Sequence, residues 1–470
     1  MVKNRTNLLT FILSLSASAV GILLNFSLAR ILESETYGNI QYLVSLSSTI
    51  SSFLVFGFSG YIIKEAANKE HKINVVNKCF TLFFFICFIT TPVMFYLLNH
   101  LFIDDSSKFF SSFIVLLVSV VMGIITIGSS YFQGIGQYRK SIVIESLLPK
   151  VFMLLLTFLF FFFGKITLFE KHYLLFYLLF YGISSVVILK IQFKKIDFTA
   201  EKGDIITWLS FFGATVTFTI TTNLTKVFQK SLFNNSVALA ITAVSLSIIS
   251  LLSIFNTVIQ NTVKPIFAKQ MREGKQKELV DTFRLVTRST SYICIPFYIF
   301  LLTQGSKFLS FFGDSYLVYP LIIVILAIRG LFSDLTGPTG TMLVMIGKEK
   351  FELFNGIINL STFLISVVLL RKDPIYGMCW SLLISTVSVN LARFIEVWIV
   401  FKKPPLNFKT ILSMMISAII NFTLIFFLKL IQPFWLWFSI SLLVGFICIV
   451  INFAISLYNK DAKQILKIRL

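Results

Sequence analysis

The chain is short of charge, of histidine and of long connecting loops. Only 13 % of its 470 residues are charged, against about 25 % in an ordinary soluble domain. Mean hydropathy is +0.87, and apolar runs of roughly 20 residues recur along the whole chain. Together these exclude a soluble enzyme and a soluble domain on a single anchor. The three histidines, His71, His100 and His172, are scattered. The five cysteines (Cys79, Cys87, Cys294, Cys379 and Cys448) lie in apolar segments, with no Cys-x-x-Cys and no Cys/His cluster. Neither a metal site, a disulfide framework nor any cofactor is therefore expected. No Gly-rich phosphate loop is present, so the chain itself is no ATP-driven pump. Acidic residues are scarce as well: 21 Asp and Glu against 41 Lys and Arg, a net charge of +20. In a soluble protein that balance would suggest nucleic acid. Here the basic residues mostly flank apolar runs, where they set topology, and nucleic acid is not an expected partner.

What is present is a series of fourteen candidate spans, at residues 7–30, 40–62, 76–98, 109–132, 141–163, 172–192, 206–228, 236–258, 285–304, 318–344, 353–370, 375–400, 410–430 and 434–458. Each is near the length of about 20 helical residues that crosses a bilayer core. The fold class expected is an all-α polytopic membrane protein. The start, MVKNRTNLLTF, has the positive flank of a signal peptide. Its apolar part runs on to Leu28 with no cleavage site, which predicts a retained first helix. With Lys3 and Arg5 in the cytoplasm, most basic residues outside the spans fall on that side. They include Lys194, Lys195, Lys264, Lys269, Arg272, Lys275, Lys277 and the tail from Lys460 to Arg469. The asymmetry predicts both termini inside and an even number of helices. The longest loop expected is polar and cytoplasmic, residues 259–284.

An internal repeat organises the spans. The first carries Thr10, Ser14, Ser18, Gly21 and Asn25 at helical spacing. A shift of 196 residues sets Ser14 on Ser210, Ser18 on Ala214, Gly21 on Thr217, Asn25 on Thr221 and Arg30 on Lys226. VSLSSTIS (44–51) likewise matches VSLSIISL (244–251) after a four-residue insertion. Two pseudo-symmetric six-helix lobes are expected, residues 1–195 and 196–403, followed by an accessory helix pair and basic tail, 404–470. Repeats with a site at their interface are a recurrent transporter plan. Ser/Thr/Gly stripes also serve simply to let helices pack closely.

Five segments, in order, resemble a known family. They are SLARILESETYGNIQYLVSLSS (27–48), YFQGIGQYRK (131–140), VKPIFAKQMREGKQKEL (263–279), FFGDSYLVYP (311–320) and MLVMIGKEK (342–350). They are similar to the oligosaccharide flippases of the polysaccharide transporter family, within the multidrug/oligosaccharidyl-lipid/polysaccharide exporter superfamily. The resemblance implies a multi-pass protein of the bacterial cytoplasmic (inner) membrane. It would move undecaprenyl-diphosphate-linked repeat units to the outer leaflet, for O-antigen or another surface polysaccharide. The partners it implies are that polyprenyl-diphosphate-linked oligosaccharide, the bilayer, and polysaccharide polymerase and chain-length machinery.

Charges inside spans cost about 2.5–3.5 kcal/mol each on insertion scales, so each needs a reason. Arg329 falls near the middle of the tenth span, and Asp334 five residues on, about 140° round the helix. Lys150 follows Pro149, which should break or kink the fifth span; Glu145 lies nearer its inner end. For a diphosphate cargo these cations would line a cavity and compensate its charge. Arg329 and Lys150 are the leading substrate-binding candidates, with a structural ion pair as the alternative. Asp334 would orient Arg329 or accept a proton. Arg30 and Lys226 complete the set through their repeat equivalence, although at helix ends they could equally snorkel to headgroups. Arg393 and Glu396, three residues apart, are expected to pair with each other. Two other readings compete. A multidrug or cation antiporter of the same superfamily would want acidic residues in the first four spans, which have none. A membrane-embedded polymerase would want a large outward loop carrying its chemistry.

Overall fold

The computed structural model describes residues 2–66, 72–103, 108–199, 202–215, 219–431 and 433–458. Among them all regular structure is helical. The chain divides into two compact units, Met1–Ser247 with Arg371–Met378, and Ile248–Leu370 with Cys379–Leu470.

The first unit contains α1 (Val2–Ile31), α2 (Ser34–Val55), α3 (Phe58–Ala66), α4 (Lys72–Leu97), α5 (Lys108–Gly134), α6 (Tyr138–Ile142), α7 (Leu148–Phe162), α8 (Ile166–Gln192), α9 (Lys202–Thr215), α10 (Thr221–Ser231) and the start of α11 (Ser236–Arg272). α5 is its centre, packed against α2, α3, α4 and α8. Small residues let the backbones meet. A Cβ on Gly123 would lie 2.5 Å from the Phe83 ring, and one on Gly128 would lie 2.2 Å from Ile188. α2 and α3 are together long and apolar enough for one span and meet at a bend of 53°. The bend sits at Phe56 and Gly57, both in the left-handed region at φ 44° and 77°. A Cβ on Gly57 would strike the Trp208 carbonyl oxygen at 2.1 Å, so glycine there lets α9 close on the bend.

The segment joining α8 to α9 is tied to α4. The Asn77 carboxamide oxygen accepts the Lys194 amide at 2.8 Å, and the Thr81 hydroxyl accepts the Asp197 amide at 3.0 Å. Asp197 in turn caps its own turn, accepting the Thr199 hydroxyl at 2.6 Å and amide at 3.0 Å. Those bonds hold its carboxyl below the usual aspartate range. Asp204, in the first turn of α9, accepts the Tyr61 hydroxyl at 2.7 Å and pairs with Lys78.

The second unit contains the rest of α11, then α12 (Gln276–Leu309), α13 (Leu321–Leu335), α14 (Thr339–Met345), α15 (Glu349–Leu369), α16 (Pro374–Phe401) from Cys379 onward, α17 (Phe408–Phe426) and α18 (Phe434–Tyr458). α12 is its axis, with α13, α17 and α18 against it; 72 % of its apolar window is buried, against 17 % for α18. α18 is anchored by Trp437, fully buried, whose indole N–H donates to Gln304 at 3.1 Å and whose face receives the Lys307 ammonium at 5.3 Å. Many large apolar side chains elsewhere face outward, Phe88 and Phe162 by more than 80 %. In a helical protein of this composition that surface belongs in lipid.

Among the described residues, eleven helices are long and apolar enough to cross a membrane, twelve with the bent α2–α3 pair. These twelve coincide with all but the seventh and eighth expected spans. Of the seventh, α9 is described to Thr215 and helix again from 219 into α10, and residues 216–218 between them lie outside the described residues. The eighth, 236–258, lies within the single helix α11, of which the described apolar stretch is Ser236–Leu251; the side chains of 252–255 lie outside the described residues. The expected loop 259–284 is instead a helical hairpin. α11 runs on to Arg272 and α12 starts at Gln276, around Gly274 at φ 70°. Its Lys-, Gln- and Glu-rich stretch is polar yet strongly helix-forming. The side chains of Lys3, Arg5 and Ala214, all of Thr217, and the tail from Lys460 to Arg469 lie outside the described residues.

Candidate functional site

Each unit holds a cluster of charged and polar side chains among its spans. In the first, Pro149 shapes the backbone. It has no N–H for the carbonyl of residue 145, and the chain absorbs this with a π-helical turn, Val143–Leu147, between α6 and α7. Such turns widen a helix and recur at functional sites. Glu145 lies in that turn, with Ser129 of α5 and Ser141 of α6 beside it. The Ser141 hydroxyl also accepts the Gln133 carboxamide at 3.1 Å.

Lys150 extends toward α1. A Cβ on Gly21 would lie 3.2 Å from both its Cδ and its Nζ, so the ammonium rests against bare helix backbone. Gly21 of the first span's polar stripe thus faces the end of the Lys150 side chain. Among the described residues Lys150 makes no hydrogen bond and no close ion pair, while Glu145 acts on it through space.

In the second unit, α13 ends at Leu335 and α14 begins at Thr339, so the tenth expected span is broken rather than continuous. The sequence LTGPTG (335–340) carries the cause. Gly337 is left-handed at φ 71°, where a Cβ would overlap the Thr287 hydroxyl at 2.1 Å, and Pro338 follows. Arg329 and Asp334 stand just before this break. Arg329 is 6 % exposed, its Nε donating to the Thr386 hydroxyl on α16 at 2.9 Å. Asp334 turns to other helices. It accepts the Tyr298 hydroxyl of α12 and the Asn256 carboxamide of α11, each at 2.7 Å. The two side chains therefore have different hydrogen-bond partners, as their angular separation implies, although both lie in one cluster around Tyr298. Gly330 makes the cluster possible. A Cβ there would come within 2.6 Å of the Tyr298 ring and hydroxyl.

The expected Arg393–Glu396 pair is not the one formed. Arg393 grips Glu352 of α15 with two bonds, Nε at 3.1 Å and a terminal nitrogen at 2.6 Å. Glu396 accepts the Asn355 carboxamide at 2.9 Å. A neighbouring helix offers a two-pronged carboxylate geometry that side chains three apart on one helix do not. The pair lies on Gly340, where a Cβ would be 3.0 Å from the Glu352 carboxylate.

Arg30 and Lys226, linked by the repeat, occupy unlike settings. Arg30 is exposed in the last turn of α1. Lys226 is half-buried on α10, a helix fixed to α2 by the Asn223 carboxamide donating to Ser48 at 2.9 Å. Lys226 has no hydrogen bond or ion pair among the described residues. The first unit thus holds Lys150, Glu145 and Lys226, and the second holds Arg329, Asp334 and the Arg393–Glu352 pair. Sequence reasoning missed Glu352, Tyr298, Asn256 and Thr386. Only the Gly-Pro break had a local signal. Among the described residues no cluster of His, Cys, Asp and Glu could hold a metal ion.

The structure is similar to that of the lipid II flippase MurJ in an inward closed conformation, with TM-score 0.66 and 14 % identity, covering 97 % of this chain and 99 % of that one. It is also similar to an inward-facing multidrug resistance MATE family transporter of the MOP superfamily, with TM-score 0.60 and 13 % identity, covering 83 % and 98 %. A third likeness is to the MATE multidrug transporter DinF-BH, with TM-score 0.59 and 15 % identity, covering 84 % and 94 %. No curated protein matches by sequence. At these identities the likenesses show a shared fold. A family model described as polysaccharide biosynthesis protein matches residues 27–320, well over half of the chain. With that match, this multi-pass membrane protein belongs to the polysaccharide biosynthesis protein family.

Proposed function

We propose that the protein is a flippase for polyprenyl-diphosphate-linked oligosaccharide repeat units, carrying them from the cytoplasmic to the outer leaflet by alternating access. It performs no covalent chemistry in this reading. The lobes 1–195 and 196–403 and the accessory segment 404–470 belong to the proposal through the sequence repeat. They differ from the compact units because α9 and α10 pack on α3 and α2. The membrane is the bacterial inner membrane, with both termini cytoplasmic, and the product feeds O-antigen or another surface polysaccharide. Polymerase and chain-length proteins would act next.

The observation that carries the reading is a cation deep among the spans of each unit, in a family tied to polysaccharide synthesis. These are Lys150, whose ammonium has no hydrogen bond among the described residues, and Arg329, 6 % exposed. A diphosphate diester carries two negative charges that need such compensation away from water. Lys226, Asp334 and Arg30 are the supporting site residues proposed. With the inside negative, each charge moved outward is favoured by about 2.3 kcal/mol per 100 mV, roughly 4.6 kcal/mol for two. A few separated cations can attract such a cargo without trapping it. The fuller overlap with the flippase structure, 97 % of this chain against 83 % for the MATE-type one, favours a flippase over an antiporter.

The test is deletion of the gene followed by analysis of lipid-linked sugars, which should accumulate on the cytoplasmic leaflet. In complementation, Arg329→Ala should abolish or strongly reduce surface polysaccharide. Arg329→Lys should keep part of it, because a point charge retains the Coulomb attraction and loses the planar fork. Normal polysaccharide from well-expressed Arg329→Ala would remove Arg329 from the site.

A further inference from the structure

The reading above uses Lys150 and leaves Glu145 idle, although a carboxylate within a span needs a reason. Glu145 is not in close contact with Lys150. It sits in the π-helical turn beside Ser129 and Ser141, and Lys150 lies five residues on with its ammonium against Gly21. The two charges act on each other through space, with no hydrogen bond between them.

Resting on the flippase reading, we propose that Glu145 is a proton-linked competitor for the anion at Lys150, so that a diphosphate and one proton bind the first unit together. With no ligand, Lys150 supplies the positive charge that balances the Glu145 carboxylate. An anion at Lys150 takes up that charge and adds its own repulsion. The carboxylate then accepts a proton from water and becomes a neutral carboxyl. One proton is gained, one negative charge disappears, and no other group changes. By reciprocity, whatever the anion does to proton affinity the proton does to anion affinity. Affinity for the anion therefore rises as pH falls.

The surroundings of Glu145 leave the effect to these two residues. α7 presents Lys150, and α8 presents Tyr181, stacked on Tyr177 at 4.1 Å. α5 presents Ser129, α6 presents Ser141, and α1 presents the Gly21 backbone. The other charged residues of α6 are Arg139 and Lys140, and the Lys140 ammonium sits over the Phe132 ring at 6.0 Å.

The experiment uses the full chain in lipid nanodiscs with a farnesyl-diphosphate-linked N-acetylglucosamine as probe. Its diphosphate is a diester and keeps its charge from about pH 5 to 8. Wild-type affinity should rise toward lower pH, by at most about tenfold per unit for one linked proton. Glu145→Gln should bind more tightly than wild type at the high-pH end and show little pH dependence. A pH indicator in weak buffer should report close to one proton taken up per probe bound by the wild type, a measurement that needs no variant to fold. If the probe binds but the wild type takes up no proton, or Glu145→Gln keeps the wild-type slope, the linkage is wrong and the flippase reading stands. If the wild type binds no probe at any pH, the flippase reading fails and takes this inference with it.

Discussion

Adding one methyl group at Gly330 tests how the second-unit cluster is built. A Cβ there would lie 2.6 Å from the Tyr298 ring edge and hydroxyl, closer than nonbonded atoms approach. Tyr298 is 1 % exposed. Gly330→Ala must therefore push the ring aside, at an overpacking cost of about 1–3 kcal/mol. Moving the ring takes the hydroxyl off Asp334, now 2.7 Å away, a bond to a charged group worth about 1.5–3 kcal/mol. Alanine returns about 1 kcal/mol over glycine within a helix. The net expected loss is about 1.5–5 kcal/mol. It should appear as a lowered unfolding midpoint in mixed detergent micelles. The decisive comparison is the same substitution in a Tyr298→Leu background, where the ring is gone. There Gly330→Ala should cost nothing or stabilise slightly, so the two changes should couple strongly. An equal cost in both backgrounds would falsify the account of Gly330 as the seat of the Tyr298 ring.

The remaining expectations concern pairing and topology. Glu352 is 3 % exposed and grips Arg393, so Glu352→Gln should cost about 3–5 kcal/mol by stranding the guanidinium. Glu352→Gln combined with Arg393→Met should recover part of that, and no recovery would mean the pair is not a coupled unit. Reporter fusions after Lys108 and after Lys275 should report the outside and the inside respectively, and a common side for both would overturn the orientation read from loop charge.

The spans were legible because lipid and chain impose one simple demand, about 20 apolar residues with every backbone group bonded internally. Wherever that demand was met in a single run, from the first helix to the last pair, a helix matches the expected span, the ninth running well past both of its ends as Gln276–Phe312. They part where a local backbone event cuts a run. The break after Leu335 was written in Gly337-Pro338, yet the apolar count over 318–344 passed straight through it. The Pro149 kink was visible, though its form as a π-helical turn was not, because that depends on how the orphaned carbonyl is accommodated. Partners were harder still. Spacing along one helix suggested Arg393 with Glu396, but a guanidinium is bound best by a carboxylate aimed at its fork, and which helix supplies one is a fact of packing. The same holds for Tyr298 and Asn256 on Asp334, which come from 36 and 78 residues away. Gly21 and Gly330 show the other side of this. As letters they are small residues in apolar helices, indistinguishable from any packing stripe. In the fold Gly330 is the vacancy that the Tyr298 ring needs, and Gly21 lies beside the end of the Lys150 side chain. A charge inside a span is thus a sound pointer to where a site must be argued, and the residue without a side chain opposite it decides whether that charge has room to act.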